Sequence, residues 1–431
     1  SKFKKYYKNL NISSETWLYI VFVIIAVFVV VWAINYYSNL RKPICPAINA
    51  VPPQPAALIN FNDAIKLFAK LSYESNICKA IYEIEDVQKF FKEVEYLNSV
   101  ISTDNYARNI VAKNTFLIAL YPQNNDETES LYLFSLPDNK QQANIKKFLS
   151  KLTGSLSHKK YTIDKDINLY NIDFLNYNKK IYWSDNKGVF AASFDSTLVV
   201  RAVEQCNKPS YLILDKNFSR VYYTAGKKVF ANVFFNYKTF TEAFSNVVSA
   251  KYCKSITPLN KFASWSGLDF SFKNQSFILN GFTSANDTSL FLDLFNEQTP
   301  SNIRLTSFAP YNTSVLLYFG IKDFTSFYPN LKKFLNSNNL HNDNYRNIIT
   351  KCNSEGIDIE NILTNLIGNE YAFVSNTISS KNNTDNFFAV LNVADSISAR
   401  EMLRVLVQKF PDESCQLDTA NSNIYYCGCI D

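Results

Sequence analysis

Two aspartates in Asp164-Lys-Asp166 have the D-x-D spacing with which glycosyltransferases hold a metal ion and a nucleotide sugar. Carboxylate oxygens at this spacing are suitable ligands for a divalent cation. The segment Ile167-Asn-Leu-Tyr170 directly follows, and its composition favours a polar turn between strands instead. A D-x-D is also expected by chance in a chain of 431 residues. We therefore interpret Asp164 and Asp166 as turn residues.

Histidine chemistry has two candidates, His158 and His341. Either imidazole could act as a general base near neutral pH. Both lie in polar sequence, Ser-His-Lys-Lys and Leu-His-Asn-Asp, which predicts solvated loop histidines. The chain also lacks the motifs G-x-S-x-G, G-x-x-x-x-G-K-[ST] and G-x-G-x-x-G. We predict no catalytic residue, no cofactor-binding residue and no metal ligand, and the sequence favours a protein that is not an enzyme.

Eight cysteines are the other reactive side chains. Cys427-Gly-Cys429 has no second pair or histidine nearby that would complete a zinc site. Cys415 and Cys427 are spaced to bridge two adjacent strands in an oxidising compartment, and they are the candidate disulfide. The alternative for scattered cysteines is that they are small buried hydrophobic residues. The scattered cysteines are Cys45, Cys78, Cys206, Cys253 and Cys352.

The segment from Trp17 to Tyr37 carries no charge, and Asn35 is its one polar interruption. As a helix it would be roughly 31 Å long, about the thickness of the hydrocarbon core of a bilayer. Aromatic residues at both ends match the belts of membrane helices. The length of the run argues against a cleaved signal peptide, and its all-round hydrophobicity argues against a buried core helix. We predict that residues 16–37 are an uncleaved signal anchor whose partner is the lipid bilayer.

The net charge of +6 is concentrated around this segment. Residues 1–15 carry four lysines against one glutamate, and two basic residues follow the span. This excess before the span predicts a single-pass inner-membrane protein with a cytoplasmic tail at residues 1–15 and its bulk in the periplasm. Residues 43–431 carry a net charge of only +1. A nearly neutral body lacks the basic face of a nucleic-acid reader, so we predict no nucleic-acid partner.

Five prolines fall within residues 38–55, and this density predicts an extended, semi-rigid spacer. Beyond the spacer, patterns of strands and helices predict two related domains, at residues 56–300 and 301–431. The second breaks off within a unit, so we expect the natural chain to continue beyond residue 431.

The recurring unit is a strand, a helix, a strand pair and a closing helix. In the first copy these are Ala57–Phe61, a helix after Asp63, strands at 116–121 and 131–136, and a helix at 141–152. Hairpins followed by helices on one side predict an α+β fold, in which one transmembrane helix precedes duplicated units with largely antiparallel sheets.

We predict that residues 56–152 and 313–410 descend from one unit, with a shorter echo that aligns residues 232–241 with 316–325. Because a slip of one residue would exchange the two faces of a strand, core positions in the opening strands should correspond. These positions are Leu58, Ile59 and Phe61 in one copy and Leu316, Leu317 and Phe319 in the other.

Four segments resemble a family of inner-membrane-anchored periplasmic proteins of Bacteroidetes-type bacteria, a domain of unknown function. The resemblance covers most of residues 56–410, and it implies structural signatures and a C-terminal continuation but no catalytic residues. The segments are Asn60-Phe-Asn-Asp63, Tyr182-Trp-Ser-Asp-Asn-Lys-Gly188, Tyr223-Thr-Ala-Gly-Lys-Lys228 and Ala263-Ser-Trp-Ser-Gly-Leu-Asp269.

Three functions are compatible with this sequence. The anchor, the spacer and the repeated units favour a membrane-tethered periplasmic binding or scaffold protein that acts through envelope protein partners. A membrane-anchored extracytoplasmic enzyme, a hydrolase or transferase, is the first alternative, and a pocket with converging carboxylates would favour it. A holdase-like chaperone is the second alternative, and a long exposed apolar groove would favour it.

Overall fold

The fold is described from a computed structural model. The described residues are 23–33, 45–70, 99, 103, 105–122, 128–136, 147–154, 158–164, 167–174, 179–245, 257–273, 276–299, 302–340, 343–376, 387–409, 414–419 and 422–427.

Within these residues, the helices α1 to α12 are 23–33, Ala64–Lys70, Asn105–Lys113, 147–153, Ser196–Gln205, Tyr211–Leu214, Lys216–Thr224, Tyr237–Ser245, Phe324–Ser337, Asp343–Ser354, Ile359–Leu366 and Ser396–Lys409. Short 3-10 helices are formed by Ala47–Ala50, Thr257–Lys261, Phe291–Phe295 and Leu305–Phe308.

The described strands β1 to β15 are Ala57–Phe61, Phe116–Pro122, Thr128–Ser135, His158–Asp164, Ile167–Phe174, Lys179–Asn186, Val189–Ser193, Ala231–Asn236, Trp265–Lys273, Ser276–Ser284, Thr313–Gly320, Ile367–Asn376, Phe387–Val393, Ser414–Thr419 and Ser422–Cys427.

The chain divides into two compact units, residues 1–260 with 264–284 and residues 261–263 with 285–431. In the first unit, ten described strands form one sheet in the order β10-β9-β8-β1-β2-β3-β7-β6-β5-β4. In the second unit, β11, β12 and β13 form one sheet in that order, and β14 pairs with β15. Every described strand pair is antiparallel, so the predicted α+β class with largely antiparallel sheets is confirmed.

Strands β8 and β1 are neighbouring interior strands of the first sheet, the third and fourth in its order. Ile59 of β1 is the register partner of Val233 in β8 and of Ile118 in β2. Successive residues of a strand face opposite sides of the sheet. Leu58 therefore belongs to the core beneath α5, α6 and α7, whereas Phe61 belongs to the core beneath α2, α3 and α4. Helices cover both faces rather than one, because β1 is apolar on both faces.

Aspartates begin several helices by accepting hydrogen bonds from backbone N–H groups of the first turn. The prediction that Asp63 opens a helix is confirmed, since its Oδ1 accepts from the N–H of Lys66 at 3.1 Å. Asp323 does the same for α9, where Oδ1 accepts from the N–H of Ser326 at 2.7 Å. Sequence spacing therefore located these helix starts correctly.

The predicted duplication is not confirmed. The strand order β1-β2-β3 of one copy matches the order β11-β12-β13 of the other. The burial of the corresponding side chains differs. Leu58 and Phe61 are buried, whereas Leu316 and Phe319 are half-buried and Leu317 is 52% exposed. The two segments therefore have the same strand order, but the corresponding side chains are not buried to the same extent.

The part of the predicted anchor that the structure describes is α1, and residues 17–22 and 34–37 lie outside the described residues. The large side chains of α1 are apolar and exposed, from 50% at Val31 to 70% at Phe28. Among the described residues, none of the helices has both the length and the apolar character needed to cross a membrane. The anchor stays a prediction.

From residue 45 onward, the predicted spacer lies against the first unit. The backbone N–H of Ala47 donates to Ser135 Oγ at 3.0 Å. The hydroxyl of Tyr121 donates to the carbonyl of Pro52 at 2.8 Å. This segment therefore contributes to the core. The prediction of an extended spacer is wrong for Ala47–Ala50, which form a 3-10 helix.

His158 is the first residue of β4, where it pairs with Ile172, so the prediction of a loop at this histidine is wrong. Strand β4 is the outermost strand of the sheet. Edge strands commonly carry charged and polar side chains, which hinder pairing with other chains. The run His158-Lys-Lys160 is therefore compatible with a strand at this position.

Candidate functional site

Four polar residues lie in one row across the first sheet. Asn60 in β1 is the register partner of Asn232 in β8, Asn232 is the partner of Asp269 in β9, and Asp269 is the partner of Asn280 in β10. Directly paired residues of antiparallel strands point to the same face. Helix α7 covers this face, and the neighbouring core residues on it are apolar. Polar side chains in these apolar surroundings need hydrogen-bond partners.

The loop after α7 provides them through Gly226. The N–H of Gly226 donates to both carboxylate oxygens of Asp269, at 2.9 Å for Oδ1 and 3.1 Å for Oδ2. Asn232 Nδ2 donates to the carbonyl of Gly226 at 2.9 Å and to Asp269 Oδ1 at 2.7 Å. A Cβ atom at residue 226 would lie 2.5 Å from Asp269 Oδ2. A side chain at this position would therefore displace the carboxylate of Asp269 from its hydrogen bonds.

Asn62 joins the same network from the end of β1. Its Nδ2 donates to Asn232 Oδ1 at 2.8 Å and to the carbonyl of Gly226 at 3.4 Å. Its backbone N–H donates to the carbonyl of Phe230 at 3.0 Å. We call the network the asparagine–aspartate cluster. Its hydrogen-bonded members are Asn62, Gly226, Asn232 and Asp269, and Asn60 lies beside them in the same row.

The polar groups of the cluster bind mainly to one another. Asn232 is 3% exposed, and both its amide nitrogen and its amide oxygen are engaged. Asn60 Oδ1 is buried and has no hydrogen-bond partner among the described residues. The cluster contains no hydroxyl, thiol or imidazole that would serve as a nucleophile. The arrangement can fix the loop after α7 against the sheet, which is a structural role.

The other end of α7 is anchored to β9 and β10. Asp215 Oδ1 accepts from the backbone N–H groups of Asn217 and Phe218, at 2.8 and 3.3 Å. Its second oxygen, Oδ2, accepts from Trp265 Nε1 at 3.0 Å. Ser284 Oγ donates to Asn217 Oδ1 at 2.8 Å. Helix α7 is therefore bonded to the β9–β10 hairpin at its start and held to β9 just after its end.

Asp164 and His158, the described candidates for metal binding and catalysis, do not lie in this cluster. Asp164 ends β4 and is the register partner of Ile167, where β5 begins. This is the backbone arrangement expected around a turn between strands, in agreement with our interpretation of the D-x-D. His158 begins the same edge strand, away from β1, β8 and β9. Asp166 and His341 lie outside the described residues.

The predicted disulfide residues lie in neighbouring strands. Cys415 of β14 pairs with Tyr426, and Cys427 of β15 pairs with Ser414, so the two cysteines are one register position apart. Their disulfide stays a prediction. Among the described residues, the cysteines that form no disulfide are Cys45, Cys206 and Cys352.

A metal centre has no counterpart in the described part of the chain, where no group of three or more His, Cys, Asp or Glu side chains is placed to hold an ion. The sequence did carry a signal for the asparagine–aspartate cluster. Three of the four segments behind the family resemblance contribute to it, through Asn60 and Asn62, Gly226, and Asp269. Comparisons with family models, characterised proteins and solved structures give no match, so the family resemblance stays a prediction.

Proposed function

We propose that the protein is a membrane-tethered extracytoplasmic binding or scaffold protein that acts through a protein partner of the cell envelope. The apolar segment from Trp17 to Tyr37 would be the tether, and the second unit would carry the binding surface. The lysines before the segment support a cytoplasmic N-terminus and an inner-membrane, periplasmic location for the rest.

The observation that carries the tether is the exposure of α1. Residues 23–33 contain no polar side chain, and the large side chains around the whole helix are 50–70% exposed. Exposing apolar surface to water costs about 25 cal/mol per Å². A helix that is apolar on every side is stable where another apolar medium covers it. Lipid chains are such a medium, and the aromatic residues at both ends of the segment suit the interface of a bilayer.

The binding surface is supported by one face of the β11–β12–β13 sheet. Leu317 of β11 pairs with Phe373 of β12, and Leu391 of β13 pairs with Tyr371 of β12. Phe373 and Tyr371 are two residues apart, so all four side chains point to one face. Leu317 is 52% exposed and Leu391 is 48% exposed.

Helix α9 covers the same face in part. Phe327 of α9 packs near Tyr371, with ring centroids 6.3 Å apart, and Tyr371 stacks on Phe319 at 4.8 Å. Val315 and Val393 lie towards opposite ends of this face and are 51% and 43% exposed. Apolar surface that a protein leaves open next to a packed core is typical of a contact with another protein.

The tether is tested by fractionation of cells that produce the full chain. We expect the protein to sediment with membranes and to be released by detergent but not by carbonate at high pH. A periplasm-dependent reporter fused after residue 60 should be active. A soluble full chain, or a reporter that is active only in the cytoplasm, would contradict the proposal.

The binding surface is tested by photo-crosslinking in intact cells, with a photoreactive residue at position 317 or 391. We expect a discrete crosslinked envelope protein at both positions, and loss of that product in the Leu317→Glu/Leu391→Glu variant. Position 340 is the matched control, because Leu340 is 53% exposed in the same unit but lies outside the sheet. Equal crosslinking at all three positions would refute a specific surface.

A further inference from the structure

Cys45 and Cys206 meet where the segment before β1 packs on α5. Cys45 is 4% exposed and belongs to the core on this face of the sheet, and Cys206 packs against that core. Cys206 directly follows α5, and its backbone N–H donates to the carbonyl of Ala202. Cys45 Sγ donates to the carbonyl of Pro46 at 3.6 Å. The two thiols lie close enough to interact electrostatically, although 160 residues separate them in sequence.

The position of Cys45 is fixed by neighbouring backbone contacts. Its N–H donates to the carbonyl of Lys187 at 3.0 Å. Lys187 and Gly188 both have positive φ angles, 47° and 78°, as in the tight turns that join adjacent antiparallel strands. Two residues further on, the N–H of Ala47 is held by Ser135. Two hydrogen bonds, one at Cys45 and one two residues further on, therefore fix the position of Cys45.

The electrostatics of the pair distinguish the two thiols. The side-chain interaction with Cys206 lowers the pKa of Cys45, burial opposes this effect, and the positive charge of Lys187 supports it. The same interaction, together with burial, raises the pKa of Cys206. One sulfur of the pair is therefore more readily ionised than an isolated buried thiol would be.

We propose that Cys45 and Cys206 are a redox pair, which a disulfide oxidant converts to a structural disulfide between the entering chain and the end of α5. One thiolate attacks a sulfur of the oxidant and forms a mixed disulfide, and the first thiol of the oxidant leaves. The other cysteine loses its proton and attacks the protein's own sulfur in the mixed disulfide. This attack expels the second thiol of the oxidant. The pair loses two electrons and two protons, and one disulfide of the oxidant becomes two thiols.

The occurrence of this bond in cells rests on the proposed extracytoplasmic location, since disulfides persist in oxidising compartments. Its consequence would be mechanical. The bond would tie the chain that arrives from the membrane to the folded unit directly at residue 45, before the proline-rich stretch begins its run into β1.

The experiment uses the purified full chain in detergent, incubated with glutathione disulfide and then blocked with N-ethylmaleimide. Mass spectrometry of the unreduced digest should show a peptide pair linked through Cys45 and Cys206. Reduction should lower the Tm by about 5–10 °C. The variants Cys45→Ser and Cys206→Ser should each abolish the linked pair and the effect of reduction on Tm, whereas Cys352→Ser should retain both.

Two alkylated cysteines after oxidation of the folded wild-type chain would overturn the proposal, as would a link from either residue to a different cysteine. The wild-type digest gives this answer even if a serine variant fails to fold. The chain trapped directly from cells tests the location separately. A pair that is reduced in cells but oxidised by glutathione disulfide in vitro would uphold the redox pair and refute the extracytoplasmic location.

Discussion

Asn232 donates its side-chain amide to Asp269 Oδ1 over 2.7 Å, and the two residues are direct register partners in β8 and β9. The same carboxylate accepts a hydrogen bond from the N–H of Gly226, which follows α7. A hydrogen bond between strands is thereby coupled to the placement of a helix. The asparagine–aspartate cluster thus joins parts of the chain that sequence alone keeps far apart.

Asp269→Ala should destabilise the first unit by about 2–4 kcal/mol, because it removes one of the two acceptors of the buried Asn232 amide and the acceptor of the Gly226 N–H. Chemical denaturation of the full chain measures this loss. Asn280→Ala is the matched control, since Asn280 occupies the same row but is exposed. Its effect should stay within about 0.5 kcal/mol. Equal effects of the two substitutions would contradict the role of the cluster.

Gly226→Ala should also destabilise the fold, because the added Cβ would lie 2.5 Å from Asp269 Oδ2. The cause can be isolated in a double-mutant cycle with Asp269→Ala. We expect Gly226→Ala to cost less in the Asp269→Ala background than in the wild type, with an interaction energy of about 1 kcal/mol or more. Strict additivity of the two free energies of unfolding would show that the clash is unimportant.

Asp323→Ala should cost about 1 kcal/mol, because the substitution removes the side chain that caps the first turn of α9. Asp323→Asn retains an acceptor at the same place and should cost clearly less. Thermal unfolding followed by circular dichroism measures both variants. If the asparagine variant is as unstable as the alanine variant, the cap does not explain the loss.

The pKa of Asp323 should be about 2 in the folded chain, because it is lowered by hydrogen bonds from the side chains of Thr325 and Ser326 and from the backbone of Ser326. The unfolded value is about 3.9. The stability that this carboxylate contributes is therefore present above pH 4 and lost as the pH falls towards 2. Carboxyl chemical shifts of the folded protein can locate the titration. A midpoint near 4 would contradict the capping geometry.

Burial raises the pKa of Tyr371 to about 12, against about 10 for an unfolded tyrosine. The folded state thus favours the protonated phenol. The resulting stability is present below pH 10 and lost as the pH rises from 10 to 12. Tyr371→Phe should weaken the alkaline loss of stability in this range. An identical pH profile in the variant would exclude Tyr371 as its source.

Much of the strand pattern could be predicted because it depends on local alternation. The strand Ala57–Phe61 was predicted with its observed bounds, and the predicted strands at 116–121 and 131–136 overlap β2 and β3. Strand β4 was missed, since an edge strand needs few apolar residues and His158-Lys-Lys160 has none. Helix α7 was also missed, although Asp215 and the spacing of Phe218 and Val221 were available as signals.

The candidate site was less predictable for a physical reason. Gly226 and Asp269 are far apart in the sequence, and their contact depends on the order in which β1, β8 and β9 pair. Local patterns indicate that strands exist but do not determine which strands are neighbours. The same applies to Cys45 and Cys206, which the sequence presents as two scattered cysteines and the fold brings together.

The pairing of β1 with β8 also constrains the order of assembly. Ala57 pairs with Phe235, so β1 cannot be paired on both sides until β8 has been synthesised. Sheets with such distant partners form slowly, since loop-closure entropy opposes the pairing before packing rewards it. During synthesis, the hairpins β2–β3 and β6–β7 can form early, while one edge of β1 remains unpaired. The newly made chain therefore has an interval in which an apolar strand is open to misassociation, and shielding this strand is a requirement of its biogenesis.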